Sequence, residues 1–130
     1  MIDRQSNDRF LYETIGVSRE TCEKLHLYYQ KLLDWNQKIN LVSRKSVDSS
    51  WKRHFLDSAQ LWLYVPADAK SWLDFGAGAG FPGLIVSIIA HELRSDLQVI
   101  LVEKNRKKVL FLREIARILC LNVKILCKKE

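Results

Sequence analysis

The sequence predicts an α/β protein in which N-terminal helices precede a β-α-β-α-β run, the first half of a larger parallel sheet. Three observations carry that expectation. Apolar residues recur at helical spacing before Pro66. Beyond it, apolar runs of strand length alternate with segments of helix length. The first of those runs enters its helix through the glycine-rich turn Gly76-Ala77-Gly78-Ala79-Gly80-Phe81-Pro82-Gly83. Strands joined by helical crossovers lie parallel in one sheet.

Each element follows in order. A short helix is expected near Asp8 to Thr14. Ser18 is a credible N-cap for a longer one, in which Leu25, Tyr28, Tyr29, Leu32, Leu33 and Ile39 recur on one face up to about Lys38 or Ile39. Ser46 caps a third helix with Trp51, Phe55, Ser58 and Trp62 on one face, ending before Pro66. The α/β part begins with strand Ser71 to Phe75, continues through a helix from Pro82 to about His91, and reaches a buried strand from Leu97 to Glu103. A helix from about Asn105 to Cys120, a turn at Leu121-Asn122 and a third strand, Val123 to Cys127, complete it. Residues 1–66 thus form a helical region and 67–130 half of an α/β sheet.

At 130 residues, 48% hydrophobic with four Trp, the chain holds one domain with a real core. Its start is polar, and no stretch reaches membrane-spanning length, so a cytoplasmic location is expected. Cys22, Cys120 and Cys127 are odd in number and lack C-x-x-C spacing, which points away from disulfides and a metal site. They read as ordinary core or strand cysteines.

The glycine-rich turn calls for a ligand that approaches backbone closely. Counting from Gly76, the sixth position of a dinucleotide fingerprint is Phe81 instead of glycine, which disfavours NAD and FAD. No Gly-Lys-Ser/Thr occurs, which disfavours a P-loop. An acidic residue ahead of G-x-G-x-G resembles the S-adenosylmethionine loop of Rossmann-like methyltransferases; a ligand-free turn is the plainer alternative. Glu103, at the end of the second strand, suits the ribose hydroxyls of any nucleoside cofactor.

Net charge is +6, concentrated late. Nine basic residues stand between Lys104 and Lys129 against one acid, Glu114. Arg106, Arg113 and Arg117 fall on one stripe of the basic helix, opposite an expected buried face of Val109, Leu112, Ile115, Ala116 and Leu119. A polyanion is one reading, a solvated helix face the other.

Two upstream segments sharpen this. Trp35-Asn36-Gln37-Lys38-Ile39-Asn40-Leu41 and Arg53-His54-Phe55-Leu56-Asp57-Ser58, followed by Leu73-Asp74-Phe75-Gly76-Ala77-Gly78-Ala79-Gly80-Phe81-Pro82-Gly83, resemble in order and spacing the RsmG (GidB) family of small-subunit rRNA guanine-N7 methyltransferases. The resemblance runs on through Val102-Glu103 and Lys107 to Glu114. It implies a Rossmann-like class I S-adenosylmethionine-dependent methyltransferase fold, with the cofactor held by Gly76, Gly78, Gly80, Phe81 and Glu103. It also implies that Lys129 and Glu130 lie near the adenine and that Asp74 orients the loop. Arg53, His54 and Asp57 match the family's helical signature, as a buried polar network or in an RNA or cofactor role; with Arg106, Arg113 and Arg117, Arg53 and His54 are the RNA-binding candidates. The implied partner is 16S rRNA or the small ribosomal subunit, with a monomeric enzyme.

Guanine N7 carries an unprotonated lone pair, so its methylation calls for alignment and no general base; no catalytic side chain is assigned. Family members continue through further strands, which implies a C-terminally truncated chain. The competing readings are a catalytically silent RNA-binding or ribosome-assembly module and, less favoured, a nicotinamide oxidoreductase.

Overall fold

The computed structural model describes residues 8–41 and 54–128. Helical residues 8–10 lead into a π-helical turn, Leu11–Ile15, which closes at Gly16 with its N–H on the Leu11 carbonyl at 2.8 Å. This is the short helix expected from Asp8, wound more widely.

Helix α1 (Arg19–Asn36) starts at Ser18, whose hydroxyl accepts from the Thr21 N–H. Glu92, from a distant helix, also secures this end, accepting from the Ser18 N–H at 2.9 Å and the Thr21 hydroxyl at 2.6 Å. The other end comes two to three residues earlier than expected. There the N–H groups of Lys38 and Ile39 turn back to the Trp35 carbonyl, and the Asn36 side chain accepts from the Leu41 N–H at 2.8 Å.

Helix α2 (Leu56–Gln60) tightens into a 3₁₀ turn, Leu61–Tyr64, and stops before Pro66 as expected. Phe55 and Ser58 are buried and Trp62 is half-buried; Ser46 and Trp51 lie outside the described residues.

Strands β1 (Ser71–Phe75), β2 (Gln98–Glu103) and β3 (Val123–Cys127) alternate with helices α3 (Gly83–Leu93) and α4 (Arg106–Ile118). The sheet is parallel throughout in the order β1-β2-β3, with Ser71 opposite Gln98 and Val99 opposite Val123. Helix α3 is buried at every position from Gly83 to Ala90, because it lies between the sheet on one side and α1 and α2 on the other. A helix apolar all round belongs in such a middle layer. Helix α4 packs on β2, β3 and α1.

In strand β1, Leu73 and Phe75 are 53% and 60% exposed while Asp74 is half-buried. Strand alternation permits only one set to face α3, and Asp74 is the residue bonded to that helix. Several expectations need correction. On α4 the buried face gains Phe111, because α1 sets Tyr28 and Trp35 against its ring, whereas Ala116 is only half-buried. Cys22 is a core residue and Cys127 ends strand β3, as expected, but Cys120 is exposed in the turn and belongs to neither core nor strand. Cys120 takes a left-handed φ of 54° just past the end of α4, where the Leu121 N–H closes onto the Ala116 carbonyl at 2.9 Å. Among the described residues no helix is long and apolar enough to cross a membrane.

Candidate functional site

The glycine-rich turn lies at the carboxyl end of the sheet and is pinned from four directions. The N–H groups of Gly76 and Ala77 donate to the Val102 carbonyl of β2 at 2.8 and 3.1 Å. Gly78 N–H donates to Glu103 Oε1 at 2.8 Å, and Gly83 N–H to Asp74 Oδ2 at 3.1 Å. The fourth tie comes from α1, where the Tyr28 hydroxyl donates to the Ala79 carbonyl at 2.5 Å. Tyr28 is 1% exposed, and burial pushes its hydroxyl well above the ordinary tyrosine range. The phenol therefore stays a donor.

The glycines divide into two kinds. A Cβ on Gly83 would run into the Leu101 side chain and come within 2.7 Å of Asp74 Oδ2; one on Gly80 would come within 2.7 Å of Leu84 Cδ1. Gly83 lets α3 sit against the sheet, and Gly80 lets the turn close onto Leu84 of α3. Gly76 and Gly78 differ. Both have positive φ, 72° and 55°, and a Cβ on Gly76 would meet nothing within 4 Å, on Gly78 only the Gly76 carbonyl at 3.8 Å. Their open side is space that a ligand can enter and a side chain would fill.

Two carboxylates flank the turn. Burial pushes the Glu103 carboxyl up, but the N–H donors of Asn105 and Gly78, with the charge of Lys108, outweigh it and hold the group below the usual carboxylate range. Each oxygen accepts one backbone N–H, Asn105 to Oε2 and Gly78 to Oε1, both at 2.8 Å. A carboxylate offers about four acceptor sites, so Glu103 keeps acceptor capacity for a hydroxyl donor beside its backbone bonds. Asp74 moves the opposite way: burial and the charge of Glu103 raise it, and the single donor Gly83 does not cancel them.

The structure brings Gly76, Gly78, Gly80, Phe81 and Glu103 together around this turn. Phe81 is half-buried, its ring 5.9 Å from Tyr28 and 5.7 Å from His54. His54 thus sits beside the turn, while Asp57 is exposed, so Asp57 is not part of a buried network. Arg53, Lys129 and Glu130 lie outside the described residues. Lys128, next to the last two, donates its N–H to the Glu103 carbonyl at 3.1 Å. The arginine stripe is partly engaged within the protein, Arg117 pairing with Glu114 at 2.5 Å and Arg113 reaching the Ile125 carbonyl at 3.4 Å, although all three arginines, Arg106 included, are exposed. Among the described residues no three His, Cys, Asp or Glu side chains converge as a metal site.

Sequence reasoning missed two residues that shape the turn. Tyr28 read only as one more apolar position on α1, and nothing local distinguishes a phenol that ends on a carbonyl from one that ends in water. Gly83 did carry a signal, a fourth glycine directly after Pro82.

The sequence model of the rRNA small subunit methyltransferase G family matches residues 21–129. The ribosomal RNA small subunit methyltransferase G of Jannaschia sp. is 47% identical over 113 residues, 87% of this chain and 54% of the relative. Its namesake from Ruegeria sp. is 48% identical over 103 residues, 79% of this chain and 50% of the relative. That of Rhodospirillum centenum is 46% identical over 103 residues, 79% and 45% of the two chains. The chain spans about half the length of these relatives. With the match carried across both the helical region and the glycine-rich turn, the chain belongs to the rRNA small subunit methyltransferase G family.

Proposed function

We propose that residues 67–130 form the cofactor-binding half of an S-adenosylmethionine-dependent methyltransferase acting on guanine N7 of 16S rRNA, with residues 1–66 as its helical region. The observation that carries this reading is the state of the turn's backbone. Its Gly76, Ala77 and Gly78 N–H groups already donate to β2 and Glu103, while the Cβ sides of Gly76 and Gly78 face open space. A phosphate-binding turn needs its N–H groups aimed at the anion. A turn that offers bare Cα surface and keeps its N–H groups occupied suits a cofactor without phosphate.

In this reading Gly76, Gly78 and Phe81 line the cofactor, Gly80 packs on Leu84 behind them, and Glu103 accepts from the ribose hydroxyls. Lys129 and Glu130 are assigned to the adenine. Asp74 acts one step back, holding α3 at Gly83. The cofactor supplies an electrophilic methyl group. The chain's own residues orient, and guanine N7 needs no proton removed, so His54 packs on Phe81 and is assigned no base role. The rRNA substrate, supported by the names its relatives carry, and a monomeric enzyme belong to the same proposal.

Isothermal titration of the chain with S-adenosylmethionine and, separately, NADH tests it. S-adenosylmethionine is expected to bind, Gly76→Val to abolish binding by filling the open side, and His54→Ala to retain it. NADH binding alone overturns the reading. RNA affinity without any cofactor heat replaces it with a silent RNA-binding module.

A further inference from the structure

A groove between α1 and α4 has no part in the cofactor reading. Its first section is a cavity of about 580 Å³ with an apolar floor of Trp35, Ile39 and Leu110 and a rim that carries Lys31, Lys38 and Lys107 against one acid, Asp34. Leu110 is 57% exposed there, and Trp35 is braced from behind by Phe111, ring centroids 5.6 Å apart. The second section, about 450 Å³, shares Lys38 and Lys107 and is lined by Asn36, Asn40 and Asn105 with Lys108. It ends beside Glu103, which accepts from the Asn105 N–H at 2.8 Å. Lys31 and Asp34 on α1, with Lys38 in the turn just past its end, thus line the groove together with Lys107 and Leu110 of α4.

We propose that this groove holds single-stranded RNA, with a base over Trp35 and Leu110 and the adjoining phosphates on Lys31, Lys38 and Lys107. The inference rests on the rRNA-directed reading above and assigns it a surface. Unpaired RNA bases stack on aromatic side chains and expose edges to amides, while the backbone is drawn to lysines. All three ligand types occur here in one concave run. A duplex hides its base faces and fits a floor of Trp and Leu poorly. The arginine stripe of α4 is the weaker candidate, since Arg113 and Arg117 already bond within the protein.

The test is fluorescence anisotropy with a labelled single-stranded oligoribonucleotide, alone and annealed to its complement, across a salt series. Lys38→Gln/Lys107→Gln is expected to lose about tenfold in single-strand affinity, with the log–log salt slope shallower by about 1.4. Arg113→Gln/Arg117→Gln should change affinity less than about twofold, since those side chains are not on the RNA path. Unchanged affinity in the lysine variant, equal binding of the annealed duplex, or no RNA binding by the unaltered chain overturns the proposal. S-adenosylmethionine titration of the same samples separates the two readings. Lysine-dependent RNA binding without cofactor heat leaves the groove and removes the methyltransferase. Normal cofactor heat with lysine-independent RNA binding removes the groove alone.

Discussion

Asp74 and Glu103 stand at the carboxyl ends of neighbouring parallel strands, and both turn a carboxylate toward the start of a helix. Their titration moves in opposite directions. Glu103 is 6% exposed, yet two backbone N–H donors at 2.8 Å and the charge of Lys108 more than offset the cost of burial. Asp74 has one donor, at 3.1 Å, and the negative charge of Glu103 nearby. Burial opposes both charges; the number and closeness of donors decides which one the fold favours. Glu103 therefore ties two turns together as a charge, whereas Asp74 serves chiefly as an oxygen placed against α3.

The largest effect should come from closing the space in which Asp74 meets its helix. Gly83→Ala puts a methyl into the Leu101 side chain and the Asp74 carboxylate, and should cost about 3 kcal/mol in urea denaturation. Gly76→Ala, with nothing in the way, should cost only about 1 kcal/mol, from its positive φ alone. Equal losses would mean that the two glycines are not of different kinds.

Glu103→Gln comes next, at about 2 kcal/mol near neutral pH, because two bonds to a charged acceptor are weakened or reversed. The sign follows from the lowered folded-state value: Glu103's contribution is present above its unfolded pKa of about 4.3 and disappears as pH falls through the folded one. The gap between the unaltered protein and Glu103→Gln should therefore narrow on acidification. A gap that stays constant from neutral pH to pH 3 would show that charge is not its source.

Asp74→Asn should have the smallest effect, within about 0.5 kcal/mol at neutral pH, since the amide keeps an oxygen for Gly83 and removes a charge that burial and Glu103 both resist. Its raised folded-state value has the reverse linkage. The stabilising share is full below the unfolded pKa of about 3.9 and is lost as pH rises through the folded one. A loss above about 2 kcal/mol would show that Asp74 acts as a charge after all.

Much of this molecule is legible in its residues. Ser18 and Asn105 each accept from a backbone N–H at the start of a helix, the caps that their side chains suit. The bounds of β1 and β3 fall where the apolar runs do, and glycine spacing with Phe81 separates the turn from a dinucleotide fingerprint. The arginine stripe was legible as a pattern, yet its availability was not: Glu114 engages Arg117 from one turn away, and Arg113 meets a carbonyl on β3. The groove between α1 and α4 escaped notice because its lysines are split between α1 with the turn after it and α4, some seventy residues apart in the chain, and neither set is unusual alone.

Sequence by itself determined the order of elements, the parallel crossovers, the identity of the turn and the family, since periodicity, capping and glycine spacing act over a few residues and leave a local imprint. Only the tertiary structure decided which glycines border open space and which meet Leu84 and Leu101, that Tyr28 holds the turn at Ala79, and that Glu103 is stabilised as a charge while Asp74 is not. Those outcomes depend on donors and neighbours brought in from other elements, so no window of the chain contains them.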